Sequence, residues 1–110
     1  MSKIREIKED EFELEVVKSE SLVLLDFYAD WCGPCKALGP VLEEVQNDLA
    51  TQAKILKVNI DSSPELAQRF GIRSVPTMLI FQGGNLQRTL VGVQGKEQIL
   101  DELKSYTLEN

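Results

Sequence analysis

Cys32 and Cys35 are the two cysteines of the 110-residue chain, and their spacing allows three kinds of chemistry. A metal site needs about four ligands, but with no third cysteine and no histidine only carboxylates could complete it. A structural disulfide across so short a loop removes only about 2 kcal/mol of unfolded-state entropy, and the cytosol would keep it reduced. A reversible dithiol–disulfide couple fits the spacing best.

The two thiols lie where a strongly predicted strand ends and a helix begins. Residues 21–29 are almost continuously apolar, which is typical of a central strand covered on both faces. Beyond Gly33, apolar residues recur at helical spacing to about residue 49, and Pro34 suits the first helical position. The N-terminus of a helix stabilises a thiolate through its unpaired N–H groups and its dipole. We therefore expect Cys32 to be the exposed nucleophile and Cys35, one turn further, to be the shielded resolving thiol.

The remaining pattern predicts an α/β fold, with a mixed central sheet of about five strands flanked by about four helices, in one domain that spans residues 1–110. We expect the crossover half of the sheet to be parallel and the hairpin half to be antiparallel. The predicted elements in chain order are an edge strand at 4–7, a helix at 9–18, a strand at 21–29, a helix to about 49 with a kink at Pro40, a strand at 53–60, a helix at 62–70 capped by Ser62 or Ser63 and ended by Gly71, hairpin strands at 77–81 and 86–91, and a helix after Gly95.

Charge and composition exclude several classes of protein. Lys and Arg number 12 against 18 Asp and Glu, and the net charge of −6 disfavours binding to nucleic acid or anionic membranes. The absence of histidine excludes imidazole catalysis and histidine-ligated metals. The N-terminal segment is densely charged and lacks the apolar run of a secretory signal, and no apolar run is long enough to span a membrane. We expect a cytoplasmic protein, although a mature form whose transit peptide has been removed would look the same.

Motifs spread over essentially the whole chain match those of a known family: Asp26-Phe27-Tyr28-Ala29-Asp30-Trp31-Cys32-Gly33-Pro34-Cys35-Lys36, then Pro40, Lys57-Val58-Asn59-Ile60-Asp61, Gly71-Ile72-Arg73-Ser74-Val75-Pro76-Thr77, Gly83-Gly84 and Gly92. In these residues the sequence resembles the thioredoxin family. The resemblance implies the thioredoxin fold and a protein thiol–disulfide oxidoreductase without bound cofactor or metal. It further implies a general disulfide reductant that maintains cell redox homeostasis.

Two features of this sequence depart from the family pattern. Tyr28 stands where many members carry a second tryptophan. Ala37-Leu38-Gly39 replaces bulkier residues in the long helix. We expect both changes to loosen the packing near Pro40 and to change the fluorescence signal, without touching the chemistry.

Two charged residues stand inside predicted strands, and each allows two interpretations. Asp26 could face solvent or form a surface salt bridge, but its apolar neighbours favour burial, which would raise its pKa. By resemblance, Asp26 lies beneath Cys35 and exchanges protons with it through water. Lys57 could be an ordinary edge cation, whereas the resemblance places it near Asp26, where it would moderate that acid.

A docking surface for protein substrates is also expected. Pro76 could be a trans proline at a strand start, but the resemblance implies a cis Val75–Pro76 bond whose ring packs against the disulfide. The backbone of Val75 would then be free to pair with an extended substrate strand. Trp31 could be a core residue, yet beside a reactive thiol it better suits a flat apolar surface. The expected members of this surface are Trp31, Gly33, Pro34, Val75, Pro76, Gly92 and Val93.

The residues between the cysteines indicate the direction of electron flow. Oxidising relatives usually carry a histidine there, which stabilises the thiolate and makes the disulfide easier to reduce. Gly33 and Pro34 offer no such charge, so we expect them to tune the couple towards a better electron donor.

The resemblance also implies partners. It implies a monomer that thioredoxin reductase recycles and that acts on disulfide-containing clients such as reductases and peroxidases. The alternative is a thioredoxin-fold scaffold or binding subunit in which the cysteines are incidental.

Overall fold

The apolar segment predicted as a central strand lies in the middle of a mixed sheet. The computed structural model describes residues 4–49 and 52–107, and within them five strands form this sheet. They are β1 (Arg5–Glu6), β2 (Leu22–Tyr28), β3 (Ala53–Asn59), β4 (Thr77–Gln82) and β5 (Asn85–Val91). Their order in space is β1-β3-β2-β4-β5. Because β1 and β2 run parallel to β3, and β4 runs antiparallel to β2 and β5, the predicted mixed sheet is confirmed.

Helices cover both faces of this sheet. The described residues contain three α-helices: α1 (Gly33–Leu49), α2 (Pro64–Arg69) and α3 (Lys96–Thr107). None of the helices in this part of the chain is long and apolar enough to cross a membrane. The helix α1 begins at Gly33, so Pro34 takes its second position rather than the predicted first. The missing N–H of proline still falls among the donors that a helix leaves unpaired in its first turn.

The segment predicted as a helix at 9–18 is wound differently from an α-helix. It forms a 3₁₀ turn at Glu9–Glu11 and then a π-helical segment at Glu13–Val17. The N–H of Lys18 donates to the carbonyl of Glu13, five residues earlier, over 2.9 Å. Phe12 and Val16 are both buried, as predicted. Burial of an apolar face thus determines which residues point inward, but not the hydrogen-bond pattern of so short a segment.

Both faces of β2 are buried, which explains its nearly continuous apolar sequence. Leu24 packs in the cluster formed with α1 and α3, whereas Val23 and Leu25 pack in the cluster formed with α2 and the segment 9–17. Side chains alternate between the two faces of a strand, so Asp26 lies on the α1 face. A single strand thereby anchors two layers of core and carries one carboxyl group towards α1.

Local turn signals are mostly as predicted. Gly83 and Gly84 have φ of 61° and 80° and form the two-residue hairpin turn between β4 and β5, where such values favour glycine. Gly71, with φ of 65°, follows the end of α2. Ser63 is the residue that precedes α2, but its side chain makes no capping hydrogen bond, and its buried hydroxyl pairs with no described residue. Ser63 thus takes the predicted N-cap position, but it does not cap α2 through its side chain. The bend at Pro40 stays a prediction.

Candidate active site

Cys32 and Cys35 form a disulfide at the N-terminal end of α1. Their Cα atoms are 5.3 Å apart, because one helical turn holds the two residues together. The backbone N–H of Cys35 donates to the Cys32 sulfur over 3.1 Å, and the N–H of Lys36 donates to the Cys32 carbonyl over 3.3 Å. Cys32 thus occupies the capping position of the helix, where unpaired donors and the positive end of the dipole favour negative charge on sulfur.

The prediction that Cys32 is exposed and Cys35 shielded is wrong for the disulfide form. Cys32 is 5% exposed and Cys35 is 6% exposed, so both are buried to the same degree. The physical reason is a loop that returns to the helix 43 residues later in the chain and places the Val75 carbonyl oxygen 3.7 Å from the Cys32 sulfur. The two sulfurs therefore differ in their hydrogen bonding to the helix rather than in their exposure.

The loop that covers the disulfide contains a cis peptide bond between Val75 and Pro76, as the family resemblance implied. Pro76 is buried, and its carbonyl accepts a hydrogen bond from the N–H of Gly92 over 2.8 Å. The Thr77 hydroxyl donates to the carbonyl of Ser74 over 2.8 Å. These two hydrogen bonds fix the loop against the start of β4 and bring Gly92 beside it.

Exposed apolar side chains flank this loop. Trp31 is 68% exposed and Val93 is 51% exposed, while Val75 and Gly92 are half-buried and Gly33 and Pro34 are exposed. Of the described residues expected in the docking surface, only Pro76 is buried. Val91, at 62% exposure, is a further apolar side chain at the end of β5 that the sequence analysis did not select.

Asp61 is a second residue that sequence reasoning missed. The indole N–H of Trp31 donates to the Asp61 carboxylate over 2.9 Å, which holds the exposed ring in one orientation. Trp31 follows β2 and Asp61 follows β3, and these neighbouring strands are parallel. The carboxyl ends of two neighbouring parallel strands lie at the same edge of a sheet. Because Trp31 and Asp61 each follow one of the two predicted strands, the sequence could have predicted that they lie close together.

Asp26 is buried on the α1 face of β2, with 5% of its surface exposed. Its Oδ1 atom accepts no hydrogen bond from the described residues. Burial raises the pKa of Asp26 to about 7, and the positive charge of Lys57 partly opposes that rise. Lys57 is the direct neighbour of Asp26 in the register between β2 and β3, so the predicted proximity of the two residues is present.

A cavity of about 410 Å³ lies between the sheet and α1 and brings the site residues together. Asp26 and Cys35 both line it, with Lys57 on the sheet side and Gly39 and Pro40 on the helix side. The carboxyl group and the second cysteine therefore face one shared space. In such a space a carboxyl group whose pKa is near neutrality can exchange a proton with a thiol.

The mixed sheet and the disulfide at the N-terminus of α1 define a thiol–disulfide oxidoreductase. The family model for thioredoxin matches residues 3–105. A thioredoxin from Rickettsia bellii is 43% identical over 95 residues, which cover 86% of this chain and 90% of that protein. A thioredoxin from Acidithiobacillus ferridurans is 42% identical over 99 residues, covering 90% of this chain and 92% of that protein. The chain belongs to the thioredoxin family, and it is a protein disulfide reductase that uses the Cys32–Cys35 couple.

A longer relative shows the same domain in another context. The bifunctional thioredoxin reductase/thioredoxin of Mycobacterium leprae is 42% identical over 98 residues, which are 89% of this chain but only 21% of that protein. In that protein a domain similar to this chain is therefore joined to a much longer remainder.

Proposed function

We propose that this chain reduces disulfides in client proteins by two successive thiol–disulfide exchanges. The Cys32 thiolate attacks one client sulfur, breaks the client disulfide and forms a mixed disulfide, which releases the other client sulfur as a thiolate. The Cys35 thiolate then attacks the Cys32 sulfur, releases the second client thiolate and closes the Cys32–Cys35 disulfide. Two electrons pass to the client. The hydrogen bond from the Cys35 N–H to the Cys32 sulfur carries this assignment, because it favours the anionic form of Cys32.

Asp26 is assigned the proton transfer that the second step requires. Cys35 must lose its thiol proton before it can attack, and Asp26 faces the cavity that Cys35 also lines. With its pKa raised by burial to about 7, Asp26 can both accept and return a proton near neutral pH. Lys57, its neighbour on β3, moderates the charge of the carboxylate.

Clients are proposed to dock on the apolar surface around the disulfide. Its assigned members are Trp31, Val75, Pro76, Gly92 and Val93. The Val75 backbone lies beside the Cys32 sulfur, where an extended client segment could pair with it and present its own disulfide. A flat apolar surface of this kind accepts many partners weakly, as a general reductant requires. Gly33 and Pro34 are assigned the tuning of the redox potential.

The partners and the location are proposed from the family and from the chemistry. We infer that a thioredoxin reductase returns two electrons to the oxidised couple. This inference is supported by the Mycobacterium leprae relative, whose name combines reductase and thioredoxin. We also propose a cytoplasmic monomer whose residues 1–110 form one domain, with reductases and peroxidases among its clients, and with neither nucleic acid nor membrane as a partner. The net charge of −6 supports the last point.

Reduction of insulin disulfides with dithiothreitol as electron source tests the proposal. Cys32→Ser, which changes one atom, should lower the rate to the level of dithiothreitol alone. Cys35→Ser should instead accumulate a mixed disulfide on Cys32, visible as a mass increase that a reductant removes. If Cys32→Ser keeps the wild-type rate, the chain acts as a scaffold and its cysteines are incidental.

A further inference from the structure

Three charged residues lie side by side across the parallel half of the sheet. In the strand register, Glu6 of β1 is opposite Lys57 of β3, and Lys57 is opposite Asp26 of β2. The row lies on the face of the sheet that α1 covers, since Asp26 and Lys57 both line the cavity beneath that helix. One ammonium group therefore stands between two carboxyl groups, of which only Asp26 has a part in the proposed chemistry.

Tyr28 lies two residues beyond Asp26 on the same face of β2 and contacts Glu6, the residue at the other end of this row. Its hydroxyl donates to Glu6 Oε1 over 2.7 Å, while Lys8 Nζ lies 3.0 Å from Glu6 Oε2. Burial and the hydrogen bond to Glu6 raise the pKa of Tyr28 to about 12, so the hydroxyl remains a donor at neutral pH. Both oxygens of Glu6 are thus occupied, and the carboxylate is fixed in place.

The side chain of Lys57 contacts the Tyr28 ring. Its Nζ atom lies 5.1 Å from the centre of the Tyr28 ring, within the range of a cation–π attraction. Among the ion pairs of the described residues, none joins Lys57 directly to Glu6 or to Asp26. The ring and the fixed Glu6 carboxylate together attract the ammonium group towards the β1 side of the row.

We propose that Glu6 and Tyr28 are positioning residues that hold the Lys57 ammonium out of a direct ion pair with Asp26, so that the Asp26 carboxyl stays available as a proton acceptor. The inference rests on the proton-transfer role given to Asp26 in the proposed function. Coulomb attraction grows as two charges approach, so a Lys57 that moved onto Asp26 would favour the ionised carboxylate more strongly. Asp26 would then be mostly ionised near neutral pH.

Other groups face Asp26 from the elements packed around it. The helix α1 contributes Cys35, Lys36 and Glu43 to the cavity wall, whereas the β4 neighbour of Asp26 is the uncharged Met78. Of all these charges, Lys57 is the one that lowers the pKa of Asp26. The pKa of Asp26 therefore depends on where the neighbouring residues of the sheet hold the Lys57 ammonium group.

An NMR titration of the Asp26 carboxyl carbon in the oxidised protein tests the proposal, with the signal assigned by its loss in Asp26→Asn. Glu6→Gln should release Lys57 towards Asp26 and lower the titration midpoint by on the order of one pH unit. Tyr28→Leu, which removes ring and hydroxyl, should lower it too, and Tyr28→Phe, which keeps the ring, should lower it less. Glu102→Gln, which removes the same charge in α3, should leave the midpoint unchanged.

A second set of variants separates positioning from simpler effects. Two simpler effects could also lower the Asp26 midpoint. Loss of the Glu6 charge removes a repulsion that acts on Asp26 directly, and a smaller side chain at position 28 lets water reach the carboxyl group. In a Lys57→Met background the shifts caused by Glu6→Gln and Tyr28→Leu should therefore shrink to well under half of their size. Shifts that persist undiminished without Lys57, or a midpoint that Glu6→Gln does not move, would overturn the proposal.

The titration needs neither client nor turnover, so its outcome is separate from that of the proposed function. Insulin-reduction rates of the same variants, measured against pH, test the proposed function. A midpoint that moves while the rate profile stays fixed supports the positioning of Lys57 and contradicts the proton-transfer role of Asp26.

Discussion

The backbone N–H of Cys35 donates a hydrogen bond to the sulfur of Cys32 over 3.1 Å, and this contact makes two equally buried cysteines unequal. The Cys32 sulfur receives a donor from the first turn of α1 and sits at the positive end of its dipole. Cys35 lies one turn inside the helix and faces the cavity beneath it. Reduction of the disulfide should leave this difference in place, because the helix backbone provides it.

In the reduced protein, iodoacetamide should therefore modify Cys32 well before Cys35. Stabilisation of a thiolate at a helix N-terminus by about 1 to 2 kcal/mol corresponds to a rate difference of about tenfold near neutral pH. Mass spectrometry of peptides after brief alkylation measures the ratio directly. The single-cysteine variants Cys32→Ser and Cys35→Ser give each rate separately, and equal rates would contradict the assignment of nucleophile and resolving thiol.

The sequence predicted the strands, the three α-helices and the location of the cysteines because these depend on local patterns. The continuous apolar segment at 21–29 and the helical spacing beyond Gly33 needed no tertiary information. The burial of Cys32 was not predictable in this way, because it depends on Val75, which lies 43 residues further along the chain. Local spacing says little about a loop that returns from such a distance.

Charged neighbours across strands show the same limit. Asp26 was recognised because a carboxyl group in an apolar strand is conspicuous in the sequence itself. Glu6 was not, since it looks like one of many surface acids in a densely charged segment. Its place opposite Lys57 appears only when the register of β1 on β3 is known, and a shift of one residue would turn it to the other face of the sheet.

Pro34→His should make the protein more oxidising. A histidine beside Cys32 adds a positive or hydrogen-bonding partner that stabilises the thiolate, and hence the reduced form, so the redox potential should rise by at least about 30 mV. Position 34 is exposed, so the side chain can be accommodated without disturbing the core. Redox titration against glutathione measures the potential. Pro34→Gln controls for loss of the proline ring, and a histidine variant whose potential does not exceed that of Pro34→Gln contradicts the argument.

Gly39→Ala should change the free energy of unfolding by less than about 1 kcal/mol, because the preference of a helix interior for alanine is opposed by the contact of the new Cβ atom with the ring of the following Pro40. Gly39 lies inside α1 beside the cavity, and a Cβ atom there would meet nothing within 4 Å beyond its own helix and its chain neighbours. Gly92→Ala is the matched comparison, since its Cβ is also unobstructed but its φ is 87°. That variant should lose about 1 to 2 kcal/mol from the left-handed backbone alone. Urea unfolding measures the stability of both variants, and a Gly39→Ala protein that is destabilised as much as Gly92→Ala would contradict this expectation.

Asp26→Ala should stabilise the fold at pH 8 and slow disulfide reduction. The pKa of Asp26 is about 7 in the folded protein against an ordinary value of 3.8, and that difference of about 3 pH units corresponds to about 4 kcal/mol. Because the folded pKa is the higher one, the folded state binds the proton more tightly than the unfolded chain does. Stability is therefore unaffected by this group below about pH 4, falls as pH rises towards 7, and has lost the full amount above pH 7.

The gain from Asp26→Ala should accordingly be largest near pH 8 and shrink towards pH 4, reduced throughout by the packing that the side chain provides. Urea unfolding at several pH values measures this difference, with Asp101→Ala, an exposed acid of α3, as the control expected to show no such trend. The rate of insulin reduction should fall in the same variant, because Cys35 loses its proton acceptor. A variant that is less stable than wild type at pH 8 would mean that Asp26 is ionised at little cost in the folded protein. A carboxylate of that kind has no proton to exchange near neutral pH, so the proton-transfer role of Asp26 would be lost with it.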